Sequence, residues 1–334
     1  MTEQLAPLPV PPPLEQTLPW AQDLVARIRA EIRKVLVGQE DTVDQVLAAL
    51  LCAGHVLVEG NPGLGKTLLV RALARAVQAG HARIQFTPDL MPSDVMGHAV
   101  YDPRSGAFRM RKGPVFTNLL LADEINRAPA KTQSALLEVM QERQVTIEGQ
   151  AFPAGSPFMV LATQNPLEQE GTYPLPEAQL DRFLLKVAMG YPAEGEESDL
   201  VRLVTEGRAG DQLDVEPVAA VATADQVLEL QRITAQVRVD EQVLGYAVRI
   251  NRATREWSGF SVGAGPRGGI ALVRAARARA LLAGRDFATP DDVKALALPA
   301  LRHRVSPSPD REIEGETCDQ LLTAMLERVP APRT

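Results

Sequence analysis

Gly60-Asn61-Pro62-Gly63-Leu64-Gly65-Lys66-Thr67 fits the pattern G-x-x-x-x-G-K-[ST] and lies between the apolar run His55-Val56-Leu57-Val58-Glu59 and a helical stretch through Leu68 to Ala76. A strand that turns through glycines into a helix makes a phosphate cradle. Backbone N–H groups curl around the oxygens, and the helix directs its positive N-terminal end at the same anion. Lys66 is placed to reach the β/γ-phosphates and Thr67 to hold Mg²⁺. Gly-Pro-Gly strings also make ordinary turns, but a turn does not account for a Lys-Thr pair where a helix begins.

Asn118-Leu119-Leu120-Leu121-Ala122-Asp123-Glu124 is a short apolar run ending in two carboxylates, which reads as a buried parallel strand. Such strands converge at one sheet edge on a ligand crevice. Asp123 can there support the metal shell while Glu124 orients or deprotonates an attacking water, so the expected reaction is hydrolysis. A P-loop kinase would use a substrate hydroxyl instead, and the Asp-Glu pair alone leaves that open.

The chain has 334 residues, enough for two domains, with 45% hydrophobic and 23% charged residues, as in ordinary soluble proteins. No apolar stretch has membrane-spanning length and Met1-Thr2-Glu3-Gln4 does not open a signal peptide, so no membrane insertion and a cytoplasmic location are expected. A net charge of −7 argues against a generally cationic nucleic-acid binder. Cys52 and Cys318 stand far apart and read as reduced thiols, and His55, His81, His98 and His303 show no ligand spacing.

Pro7, Pro9, Pro11, Pro12, Pro13 and Pro19 disfavour helix, so 1–19 is expected as a flexible leader. An amphipathic helix is expected from about Trp20 to Val35, broken at Val37-Gly38-Gln39-Glu40, and a second through Leu51. Strand signals at 55–59, 83–86, 119–123, 158–163 and 183–188 then alternate with helices at 66–78 and 131–141. That order implies a parallel sheet covered on both faces over 20–191. Residues 97–113 and 144–154 read as β-hairpins added to it. After Tyr191-Pro192 the strands stop, and segments near 194–206, 224–236, 240–256, 267–283, 290–302 and 317–328 give a smaller all-helical domain over 192–334.

Three further positions carry charge or polarity where a nucleotide site needs them. Asn165 follows strand 158–163 and would face the γ-phosphate if that strand lies beside the P-loop strand. Arg182 follows a short helix on the outside of the nucleotide domain, too far from its own P-loop but suited to a neighbour's γ-phosphate. Arg267 stands in the first turn of the helix from Gly268, where a cation opposes the dipole unless it serves an anion. Arg274, Arg277 and Arg279 on that helix read as a solvated or ion-paired face.

The chain resembles the MoxR family of AAA+ ATPases from about residue 20 to 330. The resemblance is most specific in Glu59-Gly60-Asn61-Pro62-Gly63-Leu64-Gly65-Lys66-Thr67, Leu121-Ala122-Asp123-Glu124-Ile125-Asn126-Arg127-Ala128-Pro129, Ala162-Thr163-Gln164-Asn165-Pro166 and the stretch Gly171-Thr172-Tyr173-Pro174-Leu175-Pro176-Glu177-Ala178-Gln179-Leu180-Asp181-Arg182-Phe183. It implies a three-layer α/β/α nucleotide-binding domain with a helical lid. It also implies Walker A roles for Lys66 and Thr67, with Gly60, Asn61, Pro62, Gly63, Leu64, Gly65, Leu68, Val37 and Gly38 around ATP. Asp123 and Glu124 would be Walker B, Asn165 sensor 1, Arg182 an arginine finger and Arg267 sensor 2. The hairpins resemble the helix-2 and pre-sensor-1 inserts, which face a pore or partner in related ATPases. Gly265 and Gly268 depart from the family, where Ser and Ala are usual, and extra glycine would loosen the helix start.

The expected mechanism holds ATP–Mg²⁺ between the α/β domain and the lid, with Arg267 supplied by the lid and Arg182 by the next subunit of a homo-oligomeric, hexameric ring. Resemblance implies chaperone-like remodelling of a client with a von Willebrand factor A (VWA) domain adaptor. Rivals are a nucleic-acid-stimulated motor, made less attractive by the acidic total and 4% aromatics, a metal-chelatase motor subunit, and a small-molecule kinase.

Overall fold

Strands apolar at every position must be buried on both faces, and such strands form the centre of the computed structural model, which describes residues 14–61, 63–104, 106–165, 171–205 and 214–332. In chain order the strands are β1 (Val56–Glu59), β2 (His81–Gln85), β3 (Gly97–Asp102), β4 (Ala107–Lys112), β5 (Leu119–Asp123), β6 (Gln144–Ile147), β7 (Gln150–Pro153), β8 (Met159–Gln164), β9 (Leu185–Ala188), β10 (Phe260–Val262) and β11 (Ser306–Pro307). The helices are α1 (Leu14–Arg33), α2 (Glu40–Leu51), α3 (Lys66–Ala76), α4 (Pro92–Met96), α5 (Ala130–Glu142), α6 (Glu177–Leu180), α7 (Glu194–Thr205), α8 (Ala224–Gln236), α9 (Glu241–Glu256), α10 (Pro266–Leu282), α11 (Pro290–Ala295), α12 (Ala297–Leu301), α13 (Pro309–Ile313) and α14 (Cys318–Arg328).

The central sheet runs β2-β5-β8-β1-β9, and all its pairings are parallel. Alternation along each strand divides the core. Val56, Val58, Leu119, Leu121, Met159 and Leu161 face the layer of α1, α2, α3 and the C-terminal helices. Leu57, Leu120, Ala122, Val160 and Ala162 face the opposite layer, which holds α5, β6 and Phe183. The result is the expected three-layer α/β arrangement.

Four expectations require correction. α1 begins at Leu14 and contains Pro19, so helix replaces the last part of the expected leader; 1–13 lie outside the described residues. Leu14, Leu18 and Trp20 pack on the core, and a Pro in the second turn removes only one hydrogen bond close to a helix end. Strands do not stop at Tyr191: β10 and β11 pair antiparallel beside the C-terminal helices. The expected helix 290–302 breaks at Leu296, because Pro299 cannot donate to, and its ring crowds, the carbonyl of Ala295. The hairpins β3–β4 and β6–β7 exist, but as separate two-stranded sheets.

The C-terminal helices are fixed to one end of the sheet by three consecutive residues. Arg302 donates to Lys186 O at 3.3 Å, His303 Nε2 to Phe183 O at 3.1 Å, and Arg304 to Phe183 O at 2.6 Å and Leu184 O at 3.2 Å. Arg304 also pairs with Asp181 Oδ1 at 2.7 Å, with a side chain only 4% exposed. Arg274 donates to Cys52 O and Gln231 to Leu50 O at 2.8 Å. All these acceptors precede β1 or lie at the start of β9, whereas the P-loop follows the other end of β1. The strand of four residues between them spans about 13 Å.

Two histidines are buried in this framework. His55 Nε2 donates to Met140 O at 3.0 Å while its Nδ1 accepts from Val160 N at 3.0 Å. Burial pushes its pKa down to about 4, and burial likewise lowers that of His303, aided by Arg304. Both are therefore neutral when folded, and on acidification the unfolded chain binds protons that the folded chain excludes. Their contribution to stability is complete above pH about 6.5 and falls below it, by about 1.4 kcal/mol per pH unit for each histidine. Urea unfolding at pH about 7 and about 5.5 should show this loss, and equal stabilities would refute it.

Candidate active site

Gly63 and Gly65 adopt φ of +86° and +91°, the left-handed region that glycine enters without strain, and this turns the chain from β1 into α3. The loop opens on a cleft of about 430 Å³ lined by Gly63, Gly65, Lys66, Thr67, Leu68, Arg71, Arg83, Gln85, Asp123, Glu124 and Asn165. Lys66 Nζ donates to Gly60 O at 2.6 Å. Burial pushes its pKa below the ordinary lysine value, while Asp123, Glu124 and Glu59 pull it upward. Gly60, Asn61, Leu64, Val37 and Gly38 do not line this cleft. Asn61 Nδ2 donates to Tyr191 Oη at 2.8 Å. Leu36, just before Val37, approaches Gly65, and Gly38 packs against Pro192 and Glu196. Pro62 lies outside the described residues.

Strand order brings the polar groups together. β8 lies between β1 and β5 and pairs Gln164 with Glu59 and Ala162 with Ala122. Asn165 therefore emerges between the P-loop and the two carboxylates, which satisfies the condition set for it. Thr163 Oγ1 donates to Asp123 Oδ1 at 2.6 Å and accepts from Glu124 N at 2.9 Å. Arg83 pairs with Asp123 Oδ2 at 2.6 Å. Glu124, at φ 53° and ψ 51°, accepts from Gln85 at 2.8 Å and Arg127 at 2.9 Å through Oε2.

Arg182 and Arg267 occupy a different cleft, of about 310 Å³, together with Asp181, Arg143, Arg274 and Arg304. Arg182 donates to Leu137 O at 2.5 Å, and Arg267 lies 3.8 Å from Asp181 Oδ2. The expectation that the lid brings Arg267 over its own P-loop is thus corrected. Residues 302–304 hold the helical region at the start of β1 and β9, so α10 opens at the sheet end opposite the P-loop. Arg274, expected on a solvated face, also lines this cleft.

Residues 55–185 match the ATPase family associated with various cellular activities (AAA), and 252–324 match the AAA lid domain. Over 92% of this chain and 95% of the relative, the sequence is 46% identical to protein YeaC of Bacillus subtilis. It is 43% identical to the chaperone MoxR1 of Mycobacterium tuberculosis, over 91% and 81% respectively. The chain belongs to the MoxR family of AAA+ ATPases. A crystallised Cytophaga hutchinsonii protein, assigned as an ATPase, superposes with a TM-score of 0.87 at 40% identity, covering 96% of this chain and 98% of that one. ATP binding and hydrolysis follow from membership of the MoxR family, and no helix among the described residues is long and apolar enough to cross a membrane.

Sequence reasoning missed Thr163, Arg83 and Gln85. A hydroxyl ending the otherwise apolar run 158–162 is a visible signal for the first; Arg83 and Gln85, two apart on one strand, carry none without the strand order. The departure at Gly268 also finds its reason in this MoxR-family chain. Asn251 is 3% exposed, donates to Gly265 O at 3.0 Å, and would overlap any Cβ placed at Gly268. The helix start is therefore tightened by Asn251, and Gly268→Ala should destabilise the protein by about 1–3 kcal/mol in urea unfolding. Thr163→Val should cost about 1–3 kcal/mol by stranding Asp123 Oδ1 and Glu124 N, while Thr163→Ser retains most stability; equal losses in the two would show that the hydroxyl is immaterial.

Proposed function

We propose that ATP is hydrolysed at the P-loop cleft of one subunit with arginines from the next, and that the ring so formed remodels a client protein. The observation that carries this reading is the separation of the charged groups into two clefts. Lys66, Thr67, Asp123, Glu124 and Asn165 share the first, and Arg182 and Arg267 share the second at the opposite end of β1. Arginines at that distance act on phosphate only if they belong to another copy.

The residues of the first cleft fit a nucleotide with Mg²⁺. Backbone N–H groups and Lys66 would receive the phosphates, and Thr67 and Asp123 would hold the metal. Mg²⁺ is commonly held by one or two protein groups plus phosphate oxygens and waters. When bound, Mg²⁺ would neutralise charge on the β- and γ-phosphates. Glu124 would take the proton of the attacking water, with Asn165 orienting that water and the γ-phosphate. Arg83, Gln85 and Arg127 already touch the two carboxylates and would govern when they are released. Arg182, with Arg267 beside it, would stabilise transition-state charge on the neighbour's γ-phosphate.

Since the lid is tied to its own sheet, the geometry that hydrolysis would alter is that between subunits. The hairpin β3–β4 is suited to passing this motion to a client: Phe108 is 73% and Tyr101 53% exposed, their rings 5.4 Å apart, near Arg104, Arg109 and Arg111. A VWA-domain protein is the adaptor proposed, from resemblance alone, and six is the proposed subunit number.

Glu124→Gln should lower ATP turnover about 10²–10⁴-fold and Arg182→Ala about 10³–10⁵-fold, and equal mixtures should regain part of the activity through mixed interfaces. Turnover proportional to protein concentration and indifferent to Arg182→Ala would exclude shared sites.

A further inference from the structure

A second concave surface lies on the C-terminal helices. Between α9 and α10 runs a groove of about 470 Å³, with Leu244, Val248 and Ile270 in its walls and Arg252, Arg255 and Arg277 among its lining residues. Those three apolar side chains are 37%, 46% and 56% exposed, a cost to a soluble chain unless something covers them. Among the described residues no carboxylate lines the groove, and the buried Nε of Arg277 has no hydrogen-bond partner. An occupant must therefore be both apolar and acidic.

The groove shares Ile270 and Arg274 with the cleft of Arg182 and Arg267. If that cleft faces the P-loop cleft of a second copy, the groove falls against one border of the second copy's P-loop. Arg83, on edge strand β2, lines that cleft on the side away from β9. On the other stands the segment from Tyr191 into α7, tied to the P-loop by the Asn61–Tyr191 hydrogen bond and packed on Gly38. This segment carries Glu194, Glu196, Glu197 and Asp199, and exposes Tyr191 at 71% and Val201 at 55%. Arg83 is already paired with Asp123, so that border offers the groove's arginines little net attraction, whereas Glu194, Glu197 and Asp199 are exposed and attract them; charge favours the segment border.

The geometry points to the α9/α10 groove as the seat of the acidic Tyr191–α7 segment of a neighbouring copy, a contact that rests on the trans-acting arginine reading above. It sets the register of the two copies: an interface sealed beside the nucleotide as well as over its γ-phosphate. Arg252 and Glu197 are suitable probes, since both are exposed and neither belongs to the catalytic machinery.

Assembly of the full chain with Mg²⁺ and a slowly hydrolysed ATP analogue is measured by sedimentation for the parent, Arg252→Glu, Glu197→Arg and the two combined. Each single reversal should raise the concentration for half-assembly about tenfold or more, and the combination should return it to within about threefold of the parent. Val248→Asp should weaken assembly similarly without altering net pairing on the partner, and thermal melting of each variant verifies folding. Single variants that assemble like the parent, or a combined variant no better than its components, overturn the contact. If the parent itself never assembles, the shared-site reading falls and this contact with it; if the parent assembles and needs Arg182 while the groove variants are unaffected, only the contact falls.

Discussion

The arrangement of the molecule depends on one nearly buried guanidinium. Arg304 is 4% exposed, pairs with Asp181, and donates to the carbonyls of Phe183 and Leu184. Burial disfavours its charged form, and Asp181 opposes that effect. A buried cation left without its carboxylate costs about 3–5 kcal/mol, so the pair is retained or lost as a unit. Because Asp181 directly precedes Arg182, the same contact that fixes the lid also fixes the position of the proposed trans-acting arginine. It also places α10, and hence Arg267, beside Arg182 rather than near Lys66.

At the other end of β1, polar groups are balanced among themselves. Lys66 returns to Gly60 O, Arg83 covers Asp123, and Gln85 and Arg127 share one oxygen of Glu124. Each of these contacts is partly open to water and so individually worth little. Charged ligands can exchange for them at small net cost, and this keeps a strongly polar cleft both soluble and responsive. The buried link through Thr163 is different in kind, since it positions Asp123 and Glu124 relative to β8 irrespective of what the carboxylates bind.

Much of this was legible in the sequence because local rules determine it. The glycines, Lys66 and Thr67 define their own geometry, and unbroken apolar runs at 56–58 and 119–122 require burial on two faces. Asn165 needed one extra fact, the neighbour of β8, which the strand order supplies. What escaped reading depends on contacts between residues far apart in the chain. Arg83 meets Asp123 across a pairing of parallel strands; Arg267 is positioned by residues 302–304; Leu14 and Leu18 draw helix through Pro19 by packing on a core assembled from later segments. Pro299, in contrast, was a local signal for the break at Leu296.

The attachment of the helical region has a consequence for how this sequence can drift. Toward the sheet, Arg302, His303 and Arg304 address mainly main-chain oxygens of residues 183–186, and among the described residues only Asp181 answers there with a side chain, the Arg302–Asp319 pair lying within the C-terminal helices. Carbonyl oxygens survive any substitution, so inherited changes at the surface of β9 leave the joint intact, while changes at 302–304 or 181 do not. The two halves of one joint should therefore evolve at unequal rates, with the lid conserving the hands and the sheet offering an anonymous rail.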